Sequence, residues 1–333
     1  MSPLLASLLR LSREPYQYHD DEAVHVGLTR QPSAYMNWLM DALRQIASGR
    51  ASLELPPKTV FADPGERSDF RVMPCVVRFP DRVRKTVKIV GTNWPRRIVP
   101  GEISVGKAFA LNASENFIEA GFAACLLSSA RTGACAAAAL DLLARRRDTV
   151  AIVGAGRVGY YAALYAQALG GISRILFADR NAERAGTAAS LIATVDSSLE
   201  TGTFTLDDAS VRPDILILAT DSEAPVFDAC QWHPDLVISV GADTHWQREI
   251  AAGILDHYDV FVDTPDSCLH GDLARFMNAG RLDRSEVTDL QTVLTSPAVR
   301  AERPAVFVST GSALFDNLTI DYLLEAGFRP GTL

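Results

Sequence analysis

Between Asp20 and Ser48 the apolar positions Val24, Leu28, Met36, Leu39, Leu43 and Ile46 recur at helical spacing, and Pro32 divides the run into two predicted helices. Beyond the stiff link Leu55-Pro56-Pro57-Lys58 the pattern shortens to strand-length runs. These are Thr59 to Ala62, Phe70 to Pro74, Val76 to Phe79 and Val83 to Val90, then Phe109 to Leu111 and Phe122 to Leu127, with a turn expected over Gly91-Thr92-Asn93-Trp94. Within Arg84 to Val90, alternation puts Lys85, Val87 and Ile89 on one face and Thr86, Lys88 and Val90 on the other. A lysine in the middle of such a β-branched strand ordinarily marks a solvated face. A cluster of strands before any alternating strand–helix pattern predicts an α+β unit of its own.

The pattern then changes. Ser128 reads as an N-cap for an alanine-rich helix to Arg145, which places Arg131 and Thr132 in its first turn. A cation there opposes the helix dipole, so an arginine in that turn is expected to serve an anion. Next come a short apolar run, Thr149 to Val153, a glycine turn, a helical segment from Tyr160 to Leu169, and a second run from Ile172 to Ala178. Three more buried-strand patterns, Asp214 to Ala219, Leu236 to Val240 and Val260 to Val262, end in Thr220-Asp221-Ser222, Gly241-Ala242-Asp243 and Asp263. Residues 271 to 303 are polar and helical in character. Ala305 to Val308 is a last strand before Ser309-Thr310-Gly311-Ser312-Ala313 and a helix to about Ala326. Apolar strands alternating with helices predict an α/β class, a doubly wound parallel sheet of Rossmann type.

The glycine turn, Gly154-Ala155-Gly156-Arg157-Val158-Gly159, carries the clearest chemistry. The first glycine turns the chain off the strand, the second lets backbone approach a pyrophosphate, and the third packs the helix against the sheet. The helix start presents free N–H groups to phosphate. Asp179, twenty residues past the last glycine, is placed to accept ribose hydroxyls and to repel a 2′-phosphate, which favours NAD over NADP. Arg180 beside it keeps NADP as the lesser alternative.

Composition narrows the picture. A chain of 333 residues accommodates two domains. A net charge of −8 argues against a nucleic-acid partner or an anionic membrane surface. Cys75, Cys125, Cys135, Cys230 and Cys268 are scattered without a metal-binding spacing, so no metal is expected and reduced thiols in a cytoplasmic protein are. The first residues, with Arg10 inside a short apolar stretch, read as a helix or docking segment, and the apolar run Gly121 to Ala144 carries Arg131 and Asp141, which makes it a poor membrane span. The four lysines, Lys58, Lys85, Lys88 and Lys107, stand against 28 arginines, which raises the chance that each is needed as an ammonium.

Taken together, ELPPK (Glu54 to Lys58), Met73-Pro74, VKIVG (Val87 to Gly91), SSARTGA (Ser128 to Ala134), VGAGRVG (Val153 to Gly159), ATDSEAPVF (Ala219 to Phe227), SVGAD (Ser239 to Asp243) and VFVSTGSALFD (Val306 to Asp316) resemble the ornithine cyclodeaminase/μ-crystallin family. Within it, SSARTGA and the stretch SGRASLELPPK are most similar to the siderophore-pathway branch that splits N-(1-amino-1-carboxyl-2-ethyl)-glutamate. The resemblance implies a Rossmann domain, residues 128–311, inserted in a substrate and dimerisation domain, residues 1–127 plus 312–333. It also implies a homodimer joined through the N-terminal sheet and a small amino-acid substrate.

The family's roles map onto Lys88, Arg131 and Asp243 as catalytic groups. Lys88 and Arg131 engage substrate carboxylate, while Asp243 handles the proton of the substrate amine. An upstream carboxylate-binding arginine has three possible counterparts, Arg67, Arg71 and Arg78, of which Arg71 is favoured. The expected cofactor contacts are Thr132, Gly154, Gly156, Arg157, Val158, Gly159, Asp179, Arg180, Thr220, Ser222, Gly241 and Ser312.

This sequence departs from the family after Asp243, where Thr244-His245-Trp246-Gln247-Arg248 lacks a glycine-lysine pair, and in the arginine-rich turn Asn93-Trp94-Pro95-Arg96-Arg97. The expected reaction passes a hydride from the α-carbon to NAD, and water hydrolyses the resulting imine to 2-oxoglutarate and 2,3-diaminopropionate. Ornithine cyclodeamination, imine reduction and turnover-free NAD(P)H binding of the μ-crystallin kind are the alternatives.

Overall fold

The computed structural model describes residues 2–9, 14–63, 67–92, 99, 104–208, 210–228, 232–296 and 303–328. Arg10, the Asn93 to Arg97 part of the arginine-rich turn, Cys230 and residues 297–302 lie outside them.

The N-terminal half follows the expected helix-then-strand pattern. Helix α1 is Pro3–Leu9, strand β1 is Gln17–His19, and helices α2 (Asp21–Thr29) and α3 (Pro32–Ala47) fall on either side of the Pro32 break. Asp20 caps α2 by accepting from Ala23 N at 2.9 Å, and Pro32 sits in the first turn of α3, where its missing N–H costs nothing. Strands β2 (Ser52–Glu54), β3 (Thr59–Ala62), β4 (Asp69–Arg78), β5 (Val83–Thr92), β6 (Ser104–Leu111) and β7 (Ile118–Ala123) follow. The sheet order is β1-β7-β6-β5-β4-β2, with β3 also on the outer edge of β4.

The two strands expected on either side of Pro74 are one strand, β4. Its outer edge pairs with β3 at residues 69–72 and with β2 at 76–78, so Pro74 falls in the gap between two edge partners. Gly91 and Thr92, expected in a turn, extend β5.

The run expected as a strand from Phe122 to Leu127 splits at Ala123. Helix α4, Ala124–Leu143, begins there with no side-chain cap, four residues before the serine N-cap that the sequence suggests. Arg131 and Thr132 therefore lie in the interior of α4, and the dipole argument for them does not apply. The helix has the length and hydropathy to cross a bilayer, but 83% of its most apolar window is buried within the protein. Its small residues let α5 come close: a Cβ on Gly133 would stand 2.6 Å from the backbone of Ala162.

Strand β8 (Thr149–Val153), helix α5 (Arg157–Leu169), strand β9 (Arg174–Ala178), helix α6 (Ala182–Val195) and strands β10 (Glu200–Thr203), β11 (Ile215–Leu218), β12 (Leu236–Ser239) and β13 (Asp259–Val262) open the second unit. Helix α7 (Gly271–Asn278), strand β14 (Val287–Asp289), helix α8 (Leu290–Thr295), strand β15 (Ala305–Val308) and helix α9 (Ala313–Tyr322) close it, followed by a π turn, Leu323–Gly327. The sheet is wholly parallel, in the order β10-β9-β8-β11-β12-β15-β13-β14. The chain leaves β8 toward β9 on one side and returns to β11 on the other, so the glycine turn after β8 sits at the topological switch point. The α/β class and the Rossmann arrangement are as expected. The segment 271–303 differs, because it contains the strand β14 as well as short helices.

Candidate active site

The inner face of the first sheet is where the substrate-binding candidates meet. Along β4 the buried positions are Asp69, Arg71, Met73, Cys75 and Val77, and along β5 they are Arg84, Thr86, Lys88 and Val90. Lys88 is thus on the buried face, 1% exposed, and not on a solvated one. Strand alternation defined its face correctly but could not say which face is covered. Helix α9 covers it. Asn317, fully buried, donates to Cys75 O at 3.2 Å, Arg84 O at 3.1 Å and Thr86 Oγ1 at 3.0 Å, which fixes α9 across β4 and β5.

That staple places Asp316 opposite Lys88. Lys88 Nζ donates to Asp316 Oδ1 at 2.8 Å and to Ser128 Oγ at 3.3 Å, and Arg131 Nε donates to the same Asp316 oxygen at 3.0 Å. Ser128 and Arg131 are three residues apart on α4, so they share one helix face. Burial, reinforced by the Arg131 charge, outweighs the pull of Asp316 and lowers Lys88 to about 7. This lysine therefore changes charge near neutrality.

A second cluster adjoins the first. Arg71 grips Asp69 through Nε and Nη2, each at 2.9 Å, and its Nη1 reaches Asp243 Oδ2 at 2.6 Å. Asp243 stands just past β12, at the carboxyl end of the parallel sheet. Burial favours its neutral form, but Arg71, with Lys58 and Arg131, overrides this and holds it below the usual carboxylate range. Lys58 donates to Thr310 O at 2.6 Å and to Thr310 Oγ1 at 3.2 Å. Burial and Arg71 lower it to about 8, against Asp243, Asp266 and Asp263. A cavity of about 240 Å³ opens beside it, lined by Pro57, Lys58, Asp266, Arg284, Gly311 and Ser312 among others. A cavity of about 500 Å³ at Asp207, Phe227 and Trp232 contains none of these groups.

Of the three arginines weighed for carboxylate binding, Arg71 alone is buried beside Asp243. Arg67 pairs with Glu223 and Arg78 with Glu54 in exposed positions. Asp263 is buried, with Ser267 Oγ, Ser309 Oγ and Thr264 N donating to it at 2.6–2.7 Å, so it anchors the loop after β15.

The glycine turn has the geometry its spacing implies. Gly154 has φ +99°, and a Cβ there would lie 2.2 Å from Ala219 O. A Cβ on Gly159 would lie 2.1 Å from Gly154 O. Gly156 differs, since a Cβ there would meet no protein atom within 4 Å. The protein does not demand glycine at this position, whereas a phosphate lying against the start of α5 does, so the turn fits a dinucleotide.

Asp179 accepts from Ala155 N and Asn181 N at 2.9 Å each, tying β9 to the turn. Arg180 is 87% exposed and paired with Asp221 at 2.9 Å. Arg157 contacts Cys125 Sγ, and Val158 is half-buried in the first turn of α5. Thr132 Oγ1 donates to Ser128 O at 2.8 Å, Ser222 Oγ donates to Ala224 O at 2.7 Å, and Ser312 caps α9. Thr220 and Gly241 meet around Glu249, a fully buried carboxyl that accepts Thr220 N at 2.6 Å, Ser239 Oγ at 2.7 Å and Gly241 N at 2.8 Å.

The family profile of the ornithine cyclodeaminase/mu-crystallin proteins matches residues 20–326. The chain belongs to that family. It is 30% identical over 290 residues to an L-lysine cyclodeaminase of Streptomyces rapamycinicus, covering 81% of this chain and 79% of that one.

Solved structures of other proteins superpose over nearly the whole length. A Δ1-pyrroline-2-carboxylate reductase of Thermococcus litoralis, in complex with NADH and L-proline, has a TM-score of 0.80 at 20% identity, covering 93% of this chain and 98% of that one. An archaeal alanine dehydrogenase dimer with bound NAD has a TM-score of 0.79 at 22% identity, covering 93% and 95%. These similarities establish the shared fold.

Asp316, Asp69, Lys58 and Glu249 are site residues that sequence reasoning did not single out. Asp316 ended a matching motif, and lysine scarcity pointed toward Lys58. Nothing local marked the other two.

Proposed function

We propose that this family member is an NAD-dependent oxidoreductase that breaks an amino-acid C–N bond, with N-(1-amino-1-carboxyl-2-ethyl)-glutamate as substrate and 2-oxoglutarate and 2,3-diaminopropionate as products. The observation that carries the reading is the gathering of Lys58, Arg71 and Arg131 around the Asp243 carboxylate, with Lys88 beside Arg131 on Asp316. A cationic site suits a substrate rich in carboxylates. Asp243 and Asp316 are both engaged with arginine. The buried Oδ1 of Asp266, in the cavity beside Lys58, has no hydrogen-bond partner among the described residues and is the carboxylate that would take the distal ammonium of a diamino acid under a cyclodeamination reading.

Bound NAD supplies the hydride acceptor. The chain's own part is to hold the substrate and move protons. Arg131 and Lys88 clamp the α-carboxylate, and Asp316 keeps both cations in place. Asp243 takes the proton of the substrate amine, leaving a nitrogen lone pair that helps hydride depart from the α-carbon. Water then adds to the imine carbon, and the C–N bond breaks to give keto acid and amine. Asp179, and the pairing of Arg180 with Asp221, favour NAD over NADP.

The division into residues 1–127 plus 312–333 and residues 128–311 is supported by the two sheets and by α9, which packs on β4 and β5, while the continuous helix α4 runs across the boundary at 127/128. A homodimer is supported by the outer face of the first sheet, where Phe61 and Phe70 stack at 4.5 Å and stand exposed with Ile89.

Net NADH formation from the conjugate, with both products identified, tests the reading. Asp243→Asn is expected to lower turnover roughly 10²–10⁴-fold, and wild-type turnover in that variant would remove Asp243 as the base. Cyclodeamination is the second reading, favoured by the lysine cyclodeaminase relative. It returns the hydride, so lysine or ornithine would be consumed without NADH accumulating.

A further inference from the structure

Glu249 is a buried carboxylate met by neutral donors and not by a cation. It is fully buried, and its acceptor positions are filled: Thr220 N and Thr220 Oγ1 donate to Oε1 at 2.6 and 3.0 Å, and Ser239 Oγ and Gly241 N donate to Oε2 at 2.7 and 2.8 Å. Thr220 Oγ1 itself accepts from Ser222 N at 3.4 Å, which turns its proton toward the carboxylate. With both oxygens accepting from main-chain N–H groups, the side chain is held as the anion. No lysine or arginine among the described residues pairs with it. Asp263, buried at the end of β13, differs in having Lys58 act on it.

The sheet order says what lies above this charge. Thr220 follows β11 and Ser239 ends β12, so Glu249 joins the carboxyl ends of two adjacent strands. A Cβ on Gly241 would stand 2.5 Å from Glu249 Oε1, so the glycine lets that loop close over the carboxylate. Asp179, at the end of β9, marks the adenosine side of the glycine turn, and β11 and β12 lie on the other side of β8. A dinucleotide anchored at the turn therefore carries its nicotinamide half across the ends of β11 and β12. The backbone of Glu249 is fixed independently, its N donating to Asp272 Oδ2 at 2.8 Å and its O accepting Val226 N at 2.9 Å and Phe227 N at 3.0 Å.

We propose that Glu249 sets the redox-state preference of the cofactor site: its buried charge stabilises the oxidised nicotinamide, a cation, over the neutral reduced ring. It is a positioning residue that acts by its field and not by contact, in an interior where a unit charge stays effective. The substrate side gives this a purpose, because Lys58, Arg71 and Arg131 gather around Asp243, two residues beyond Gly241, and repel a cationic ring. Favouring the oxidised form shifts the potential of the bound cofactor to a more negative value, so the chain takes up NAD+ and releases NADH readily. No bond changes at Glu249. The inference rests on dinucleotide binding and is independent of the substrate named above.

Titration calorimetry of NAD+ and of NADH on the full chain tests this in wild type, Glu249→Gln and Glu249→Asp. Glutamine keeps the shape and loses the charge, so Glu249→Gln is expected to weaken NAD+ roughly tenfold relative to NADH. A purely structural role would weaken both forms alike. An unchanged ratio of the two dissociation constants, or a shift in favour of NAD+, overturns the proposal.

Glu249→Asp provides a second arm should the glutamine variant fold poorly. It keeps the charge and is expected to hold the wild-type ratio within about threefold, even where both forms bind less tightly. A roughly tenfold shift toward NADH in that variant also overturns the proposal. Neither titration requires turnover, so absence of NADH formation with every amino acid would end the substrate reading while leaving the binding ratio to decide this point.

Discussion

Replacing Asp316 with asparagine probes the charge balance of the buried centre. Asp316 is 1% exposed and one of its oxygens holds two cations, Lys88 at 2.8 Å and Arg131 at 3.0 Å. Removing one partner of a buried ion pair costs about 3–5 kcal/mol, because the remaining charge stays desolvated. Here Arg131 loses its counter-charge, while Lys88, already lowered to about 7, sheds its proton instead. The lower part of that range is therefore expected, still a large share of the roughly 5–15 kcal/mol that stabilises a folded protein.

Lys88→Met is the control. It leaves Arg131 on Asp316, so the buried carboxylate keeps a counter-charge and a smaller loss than that of Asp316→Asn is expected. Urea unfolding of the full chain at neutral pH measures both. The pH dependence follows from Lys88 lying at about 7 in the folded protein, against about 10.4 for an unfolded lysine. Between those values the unfolded chain holds a proton that the folded one has lost, so stability rises with pH. Wild type should therefore gain on Lys88→Met as pH is raised from about 7 toward about 10. An Asp316→Asn variant within about 0.5 kcal/mol of wild type, or a Lys88→Met variant losing as much as Asp316→Asn, would refute this account of the centre.

Gly156→Ala is expected to keep the wild-type melting temperature, because its Cβ meets no protein atom, and to weaken NADH binding measured by fluorescence titration. Unchanged affinity would mean that no phosphate lies there. Ile89→Asp, on the exposed face of β5, is expected to convert a dimer to a monomer in sedimentation experiments, and a wild-type chain that is already monomeric would dismiss that interface.

The nucleotide unit was legible because its signal is local: strand, glycines, helix and Asp179 occupy one contiguous stretch, and each glycine has its own steric reason. Helix α4 was misplaced at its start because Phe122 to Leu127 is apolar enough for strand or helix, and no capping side chain marks the change at Ala123. Strands β10 and β14 lack an apolar run, having the sequences ETGT and VTD, and only the sheet around them makes them strands. Within the site, Lys88, Arg131 and Asp243 were reached through resemblance, whereas Asp316 was not. Its partnership with Lys88 spans 228 residues, and no periodicity reports a contact at that separation.

Helix α9 also bears on the order in which the protein can be completed as it leaves the ribosome. Asp316 neutralises Lys88 and Arg131, and Asp321, fully buried on the same helix, accepts Arg82 Nη2 at 2.8 Å and Arg84 Nε at 3.1 Å. Every one of those cations is synthesised long before its anion. The first sheet must wait, with its inner face charged and wet, until the chain has made the entire nucleotide unit and returned. Synthesis from the N-terminus usually lets the first domain fold first. Here the last helix closes the first sheet, so a nascent chain stopped short of residue 313 would carry a folded Rossmann unit beside an unfinished substrate site.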